Sequence, residues 1–151
     1  MDLRPDYIAL LGLFRSHEVE FIIVGAYALA LHGAPRNTGD IDILIKPEST
    51  NALRVLTALE QFGFASLGLR TEDFTTPGQV IQLGRVPVRV DLLTSITGVT
   101  WEEADAGKVS GQLSGVPLFF LGREQYVANK RATGRHRDLA DLEALGEDPG
   151  A

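Results

Sequence analysis

The chain has 151 residues, 44% of them hydrophobic, and a formal net charge of −6. That size and apolar content suit one ordinary core, and the acidity excludes a strong nucleic-acid surface built on bulk electrostatics, the sequence-independent term in such binding. The absence of cysteine excludes disulfides, thiolate nucleophiles and cysteine-held zinc, and His17, His32 and His136 are too scattered to mark a zinc motif.

From the N-terminus, Tyr7, Ile8, Leu10, Leu11 and Phe14 have the spacing of an amphipathic helix over residues 6–16 laid on the core. No apolar run reaches the roughly 18 residues of a membrane span, and Asp2 and Asp6 do not suit a signal peptide, so a soluble, cytoplasmic protein without a membrane partner is expected. Phe21-Ile-Ile-Val24 is a continuous apolar run, the form of a strand buried on both faces, and Gly25 ends it. Residues 27–31 are helix-compatible and are stopped by Gly33 and Pro35.

The organising segment follows. Asp40-Ile-Asp-Ile-Leu-Ile45 alternates, so the two-residue period of a strand puts Asp40 and Asp42 on one face and Ile41, Ile43 and Ile45 on the other. Two neighbouring carboxylates repel by roughly 1 kcal/mol in water and about 4 kcal/mol at an effective dielectric of 20. A hard divalent cation such as Mg²⁺ turns that repulsion into coordination and bridges carboxylates to substrate phosphates. The plainer alternative is a solvated strand face.

Residues 47–63 carry a Ser or Thr cap, apolar positions 52, 53, 56, 59 and 62, and Gly63 as a stop, which predicts a long helix. Residues 64–78 read as a loop or short edge piece covering the site. Residues 79–83 and 86–93 read as a hairpin turning at Gly84-Arg85, with Val88, Val90 and Leu92 on one face of its second strand and Arg89 and Asp91 on the other. Asp91 is then a third acid on a strand face, needing an ion or a partner, and Arg89 is a ready partner.

Thr100-Trp-Glu-Glu103 has capping-box spacing and opens a short helix to about residue 106. Residues 109–113 and 116–121 form a second hairpin, in which Phe119 and Phe120, with Trp101 before it, are expected to anchor the core. Two helices broken at Thr133-Gly134 close the domain, the second turning Leu139, Leu142 and Leu145 inward. Lys130, Arg131, Arg135 and Arg137 concentrate positive charge there, fit to hold a phosphate or an RNA backbone. Pairing to Asp138 or Asp141 at a solvated helix end is the favoured reading for Arg131, but not for Lys130. A single domain over residues 1–145 and a tail over 146–151 are expected.

Together these parts resemble the polymerase-β-like nucleotidyltransferase superfamily: a strand ending at Gly25-Ala26, a short helix, the acid pair Asp40-Ile-Asp42, and Asp91 in a later Val-Arg-Val-Asp-Leu-Leu strand. Thirteen residues separate Ala26 from Asp40, as is usual there. The Arg36-Asn-Thr38 approach and the ending Asn129-Lys-Arg-Ala-Thr-Gly-Arg-His-Arg-Asp138-Leu-Ala-Asp141 look more narrowly like small AbiEii-type nucleotidyltransferases of type IV toxin-antitoxin systems.

The resemblance implies an α/β nucleotidyltransferase-like fold with a mixed sheet flanked by helices. It implies Mg²⁺-dependent transfer of a nucleoside monophosphate from an NTP to a hydroxyl of an RNA (a tRNA among them), a protein or a small molecule, with an antitoxin protein as a candidate partner. It makes Asp40, Asp42 and Asp91 the catalytic acids and ligands of two Mg²⁺ ions, with Mn²⁺ as a substitute. It places Gly25, Ala26, Tyr27, Arg36, Thr38 and Lys130 against the nucleotide, Tyr27 either touching it or merely packing. Ala26 departs from the Ser or Gly common in the superfamily and removes a hydroxyl that would contact phosphate, although backbone N–H groups at the helix start remain.

Two other uses of such residues are disfavoured. In a haloacid-dehalogenase-type phosphatase the acids follow an apolar strand, whereas here Ile43-Leu-Ile45 follows them. A dinucleotide site needs G-x-G-x-x-G after the first strand, which Gly25-Ala-Tyr-Ala-Leu-Ala does not supply. The remaining alternative is a protein of the same fold that binds a nucleotide or partner without turnover.

Overall fold

The computed structural model describes residues 4–35, 39–85 and 88–148. Its first helix, α1 (Pro5–Ser16), buries Tyr7, Leu10, Leu11 and Phe14 along one stripe and starts on a proline whose fixed φ suits a first helical turn. The apolar run becomes β1 (Phe21–Val24), with Ile22, Ile23 and Val24 all buried. Gly25 opens α2 (Gly25–Leu31), and the acidic alternation becomes β2 (Asp40–Ile45), with Ile41, Ile43 and Ile45 buried on the face away from Asp40 and Asp42.

Next comes α3 (Ser49–Phe62), whose buried stripe is Asn51, Ala52, Val55, Ala58 and Leu59. That stripe lies to one side of the expected one, so Leu53 faces solvent at 57% exposure. The helix has no side-chain cap: Glu48 stands at the N-cap and Ser49 is already helical. Asn51 instead ties three elements together. Its amide donates to the Glu20 and Lys46 carbonyls at 2.9 and 3.0 Å and accepts the Glu20 N–H at 2.7 Å, so a fully buried polar side chain is satisfied.

The expected loop over 64–78 is more ordered than its polar composition suggested. It holds a 3₁₀ turn (Ala65–Leu67) and a short helix, α4 (Thr71–Thr75), because Phe74 is fully buried and Asp73 accepts the Arg70 N–H at 2.8 Å. The hairpin is formed by β3 (Val80–Arg85) and β4 (Val88–Leu93), so Gly84 lies inside a strand instead of making the turn. After it come α5 (Trp101–Gly107), β5 (Val109–Leu113), β6 (Val116–Phe120), α6 (Arg123–Thr133) and α7 (His136–Ala144). The capping box at α5 forms as read, Thr100 and Glu103 exchanging hydrogen bonds at 3.1 and 2.9 Å.

The six strands make one mixed sheet in the order β3-β4-β2-β1-β6-β5. The β2–β4 and β1–β6 pairs are parallel; β1–β2, β3–β4 and β5–β6 are antiparallel. A larger core on one face gathers α1, α3 and Phe74 over Ile23, Ile41, Ile43, Val90 and Leu92. A smaller one on the other face gathers Leu29, Ala104 and Tyr126 over Ile22, Val24 and Leu44.

Three aromatic and leucine expectations need correction. In β6 the strand period turns Leu118 and Phe120 inward and leaves Phe119 45% exposed beneath the Lys108 ammonium, 4.3 Å from its ring centre. Trp101 is only partly buried, and α7 buries Asp138, Asp141 and Leu142, with Leu139 and Leu145 partly exposed. Glu147 and Asp148, read as tail, are tied down: Arg123 pairs with Glu147 at 3.0 Å, and Arg131 donates to the Asp148 carbonyl at 2.7 Å. No helix among the described residues is long and apolar enough to cross a membrane.

Candidate active site

The smaller core does not cover its whole sheet face. Where it stops, at the end of β1, a cleft of about 690 Å³ opens, a size that suits a nucleotide-scale ligand. Its floor carries the three acids. The parallel register of β2 and β4 sets Asp40 beside Arg89 and Asp42 beside Asp91, so Asp42 and Asp91 stand side by side on neighbouring strands. Across β2, Val24 is the partner of Asp42, and the chain turns at Gly25 directly next to that carboxylate.

Gly25 has φ of +67°, and a Cβ built there would lie 2.2 Å from Asp42 Oδ2. Glycine is therefore required twice at this position, for the left-handed backbone and for room beside the acid. Ala26 lines the cleft with Gly25, whereas Tyr27 is buried in the larger core and packs there. Arg36 and Thr38 lie outside the described residues.

On the cleft floor, Asp42 has a raised pKa. Burial pushes its carboxyl up to about 6, and the charge of Asp91, hydrogen bonding with Asp91 and the charge of Asp40 push the same way; Lys130 across the cleft partly offsets them. The crowding read from sequence was that of Asp40 and Asp42; the fold adds Asp91, which affects Asp42 more than Asp40 does.

Arg89 completes the floor. Its guanidinium lies 2.7 Å from Asp40 Oδ2, and its Nε lies 3.2 Å from Asp91 Oδ1, so it spans the first and third acids. Backbone placement here is reinforced by Tyr7 of α1, whose hydroxyl donates to the Gly39 carbonyl and accepts the Arg89 N–H at 3.1 Å. One phenol therefore clamps the starts of both acid-bearing strands.

The opposite wall comes from α6 and α7. Lys130, only 12% exposed, lines the cleft with its ammonium 3.5 Å from Asp138 Oδ1. Asp138 also accepts from Arg135 Nε at 2.7 Å and from the Arg135 backbone N–H at 3.1 Å. Burial alone would raise the Asp138 carboxyl, but bonds from Arg135 and Thr133 and the charge of Lys130 hold it well below the usual carboxylate range. The pairing to Asp138 that sequence favoured for Arg131 is made instead by Lys130 and Arg135; Arg131 turns away toward Asp148. Arg135, Arg137, Thr97 and Asn129 also line the cleft, and Asn129 donates to the Thr97 carbonyl at 2.8 Å. Thr97 carries no sequence signal of its own, and Asn129 only as the first residue of the 129–141 ending, since the tertiary fold alone brings the loop after β4 against α6.

The donor chemistry suits a hard cation. Asp42 and Asp91 present oxygen ligands side by side, and Asp91 Oδ1 is buried without a hydrogen bond. Among the described residues, no three His, Cys, Asp or Glu side chains converge as a ready-made metal cage. His32 is placed structurally, 2.7 Å from the Leu121 carbonyl. At the other end of β1 lies an apolar cavity of about 350 Å³ bordered by Phe21, Trp101 and Phe119. Its lysine, Lys108, is already paired with Asp105 at 2.7 Å.

No protein-family model and no curated protein matches the sequence. Solved structures do match the fold. A Thermotoga maritima protein, provisionally named a nucleotidyltransferase, aligns over 95% of this chain and 92% of its own with a TM-score of 0.58 and 18% identity. The lincosamide antibiotic adenylyltransferase LnuA, solved with lincomycin bound, aligns over 96% and 97% at a TM-score of 0.58 and 11% identity. This chain has a nucleotidyltransferase fold. The antibiotic-resistance factor ANT(2'')-Ia shares that fold over 93% of this chain and 80% of its own, with a TM-score of 0.55 and 12% identity. The nucleotidyltransferase fold, with its mixed sheet flanked by helices, is the architecture the sequence pointed to.

Proposed function

We propose that the protein is a divalent-cation-dependent nucleotidyltransferase that moves a nucleoside monophosphate from an NTP to an acceptor hydroxyl. The observation that carries this reading is the in-register placement of Asp42 against Asp91, with Asp40 on the same floor and Lys130 on the facing wall of one cleft. In the reaction the acceptor oxygen attacks the α-phosphorus, the bond to the bridging oxygen breaks in line so that pyrophosphate leaves, and the hydroxyl proton passes to solvent.

Asp40, Asp42 and Asp91 would hold Mg²⁺ or Mn²⁺, two ions in the full arrangement. When bound, these supply a lowered pKa at the attacking hydroxyl and neutralisation of the triphosphate. Gly25 keeps the cleft open beside Asp42, and Ala26 packs next to it. Lys130, fixed by Asp138, offers a compact positive charge to the phosphates, with Arg36 and Thr38 as further candidates from sequence. Tyr27, buried in the larger core, holds α2 in place by packing.

The acceptor is proposed from among an RNA such as a tRNA, a protein and a small molecule. A small molecule is consistent with LnuA, named an adenylyltransferase of an antibiotic, whose chain aligns over nearly its full length. A role as an AbiEii-like toxin-antitoxin component, with an antitoxin partner, rests on the Arg36-Asn-Thr38 approach and the sequence ending 129–141. Incubation with α-labelled NTPs, Mg²⁺ and pools of RNA, protein and metabolites should label one pool. Asp42→Asn should reduce labelling at least about 100-fold, the scale of losing a positioned catalytic group; undiminished labelling by the variant would overturn the assignment.

A second reading, nucleotide or partner binding without turnover, draws on Ala26 and on the hold of Arg89 over two of the acids.

A further inference from the structure

Arg89 stands where the transfer reading would put a cation. Its register partner is Asp40, and Asp91 is two residues along its own strand on the same face, so the fork of one guanidinium spans both. The two contacts are unequal. Arg89 Nη2 donates to Asp40 Oδ2 at 2.7 Å, whereas its approach to Asp91 is long, at 3.2 to 3.4 Å. Arg89 Nε and Asp91 Oδ1 are both buried, yet neither makes a hydrogen bond. Such a pair bears much of the cost of desolvation without the return of aligned geometry, and a better ligand can displace it. The side chain is 28% exposed toward the cleft, which leaves it a path outward.

We propose that Arg89 is a resident counter-cation: in the nucleotide-free protein it compensates the acid floor and keeps divalent cations out, and it is displaced when cation and triphosphate arrive together. The proposal rests on the transfer reading above. Arg89 is then a positioning residue whose work is to couple cation binding to nucleotide binding. Once released, its guanidinium has a new partner in the incoming phosphates, which guanidinium groups hold through paired hydrogen bonds. Asp42, which Arg89 does not touch in these contacts, remains available to make first contact with the cation.

The test is Mn²⁺ binding, followed by electron paramagnetic resonance, to wild type, Arg89→Gln and Arg89→Lys, with and without each of the four α,β-methylene nucleoside triphosphates. Wild type should bind Mn²⁺ about tenfold or more tightly when an accepted analogue is present, a coupling within the usual range. Arg89→Gln should bind Mn²⁺ about tenfold more tightly than wild type without any nucleotide, and its coupling to the analogue should shrink accordingly. Arg89→Lys, whose ammonium reaches one acid at a time, should fall between them, and it carries the test if the Gln variant loses its near-ultraviolet circular dichroism. Nucleotide-free affinity in folded Arg89→Gln or Arg89→Lys no tighter than wild type would overturn the counter-cation role while leaving the metal site standing. No Mn²⁺ binding by any of the three proteins, even with the analogues, would overturn both this role and the reading on which it rests.

Discussion

Asp42 ionises in the unfolded chain near the ordinary aspartate value of about 3.9, and folding pushes it up to about 6, burial being the largest cause and Asp91 the next. The folded state therefore holds this proton more tightly, and between those two values stability falls as pH rises. In metal-free protein kept in chelator, Asp42→Asn should be more stable than wild type at pH 8 by about 2 kcal/mol, and the gain should vanish near pH 4. Urea unfolding at the two pH values measures it. An equal midpoint for variant and wild type at pH 8 would mean that the carboxylates are not in conflict. The crowding of Asp42 by Asp40 was legible in the alternation of residues 40–45, because a two-residue period needs only local sequence; that Asp91 stands beside Asp42 depends on the β2–β4 register. The part played by Arg89 was visible only as a partner for Asp91; its stronger contact to Asp40 depends on a strand register no local pattern reveals.

Among the elements, the α6–α7 corner shapes the cationic wall. Asp138 is 1% exposed and gathers Lys130, Arg135 and the first turn of α7. Its carboxyl is held low in the folded state, so its contribution is present above the unfolded value near 4 and is lost as pH falls. Asp138→Asn should cost about 2 kcal/mol at pH 7 and progressively less toward pH 3, and it should weaken NTP binding by releasing Lys130. If stability and NTP affinity were both unchanged at pH 7, the corner would be a passive surface. The two helices and their break at Thr133-Gly134 could be read from sequence, since Gly134 takes a left-handed cap with φ of +61°. Their buried face could be read only in part, at Leu142 and Leu145. Leucine periodicity also pointed to Leu139, while the ion pairs carry Asp138 inward, and pattern reading assigns charges to the outside by default. Phe74 shows the same limit, since one fully buried aromatic turned a polar stretch into a helix.

At the scale of the molecule, one six-stranded sheet presents its acids where the smaller core ends, and the rest of the domain keeps β1 and β2 in register there. Asn51 is the buried tie between those strands and α3. Asn51→Ala leaves the Glu20 N–H without its acceptor, while the Glu20 and Lys46 carbonyls keep the Lys46 and Glu48 N–H groups, and should cost about 2 kcal/mol of unfolding free energy; a urea midpoint within error of wild type would show that the tie is dispensable. The mixed α/β architecture and the order of its elements were legible because strand alternation, helical stripes, Gly stops and capping residues all act locally. The strand order, the cleft wall built from distant α6 and the clamp by Tyr7 depend on contacts far apart in sequence.

The central claim is that this floor and wall form a cation-dependent nucleotide site. Calorimetric titration of each NTP with Mg²⁺ into wild type and Asp42→Asn tests it most directly. The account predicts Mg²⁺-dependent binding of one or more NTPs to wild type and its loss in the variant. Absence of NTP binding at every Mg²⁺ concentration, or equal binding by folded Asp42→Asn, would contradict it.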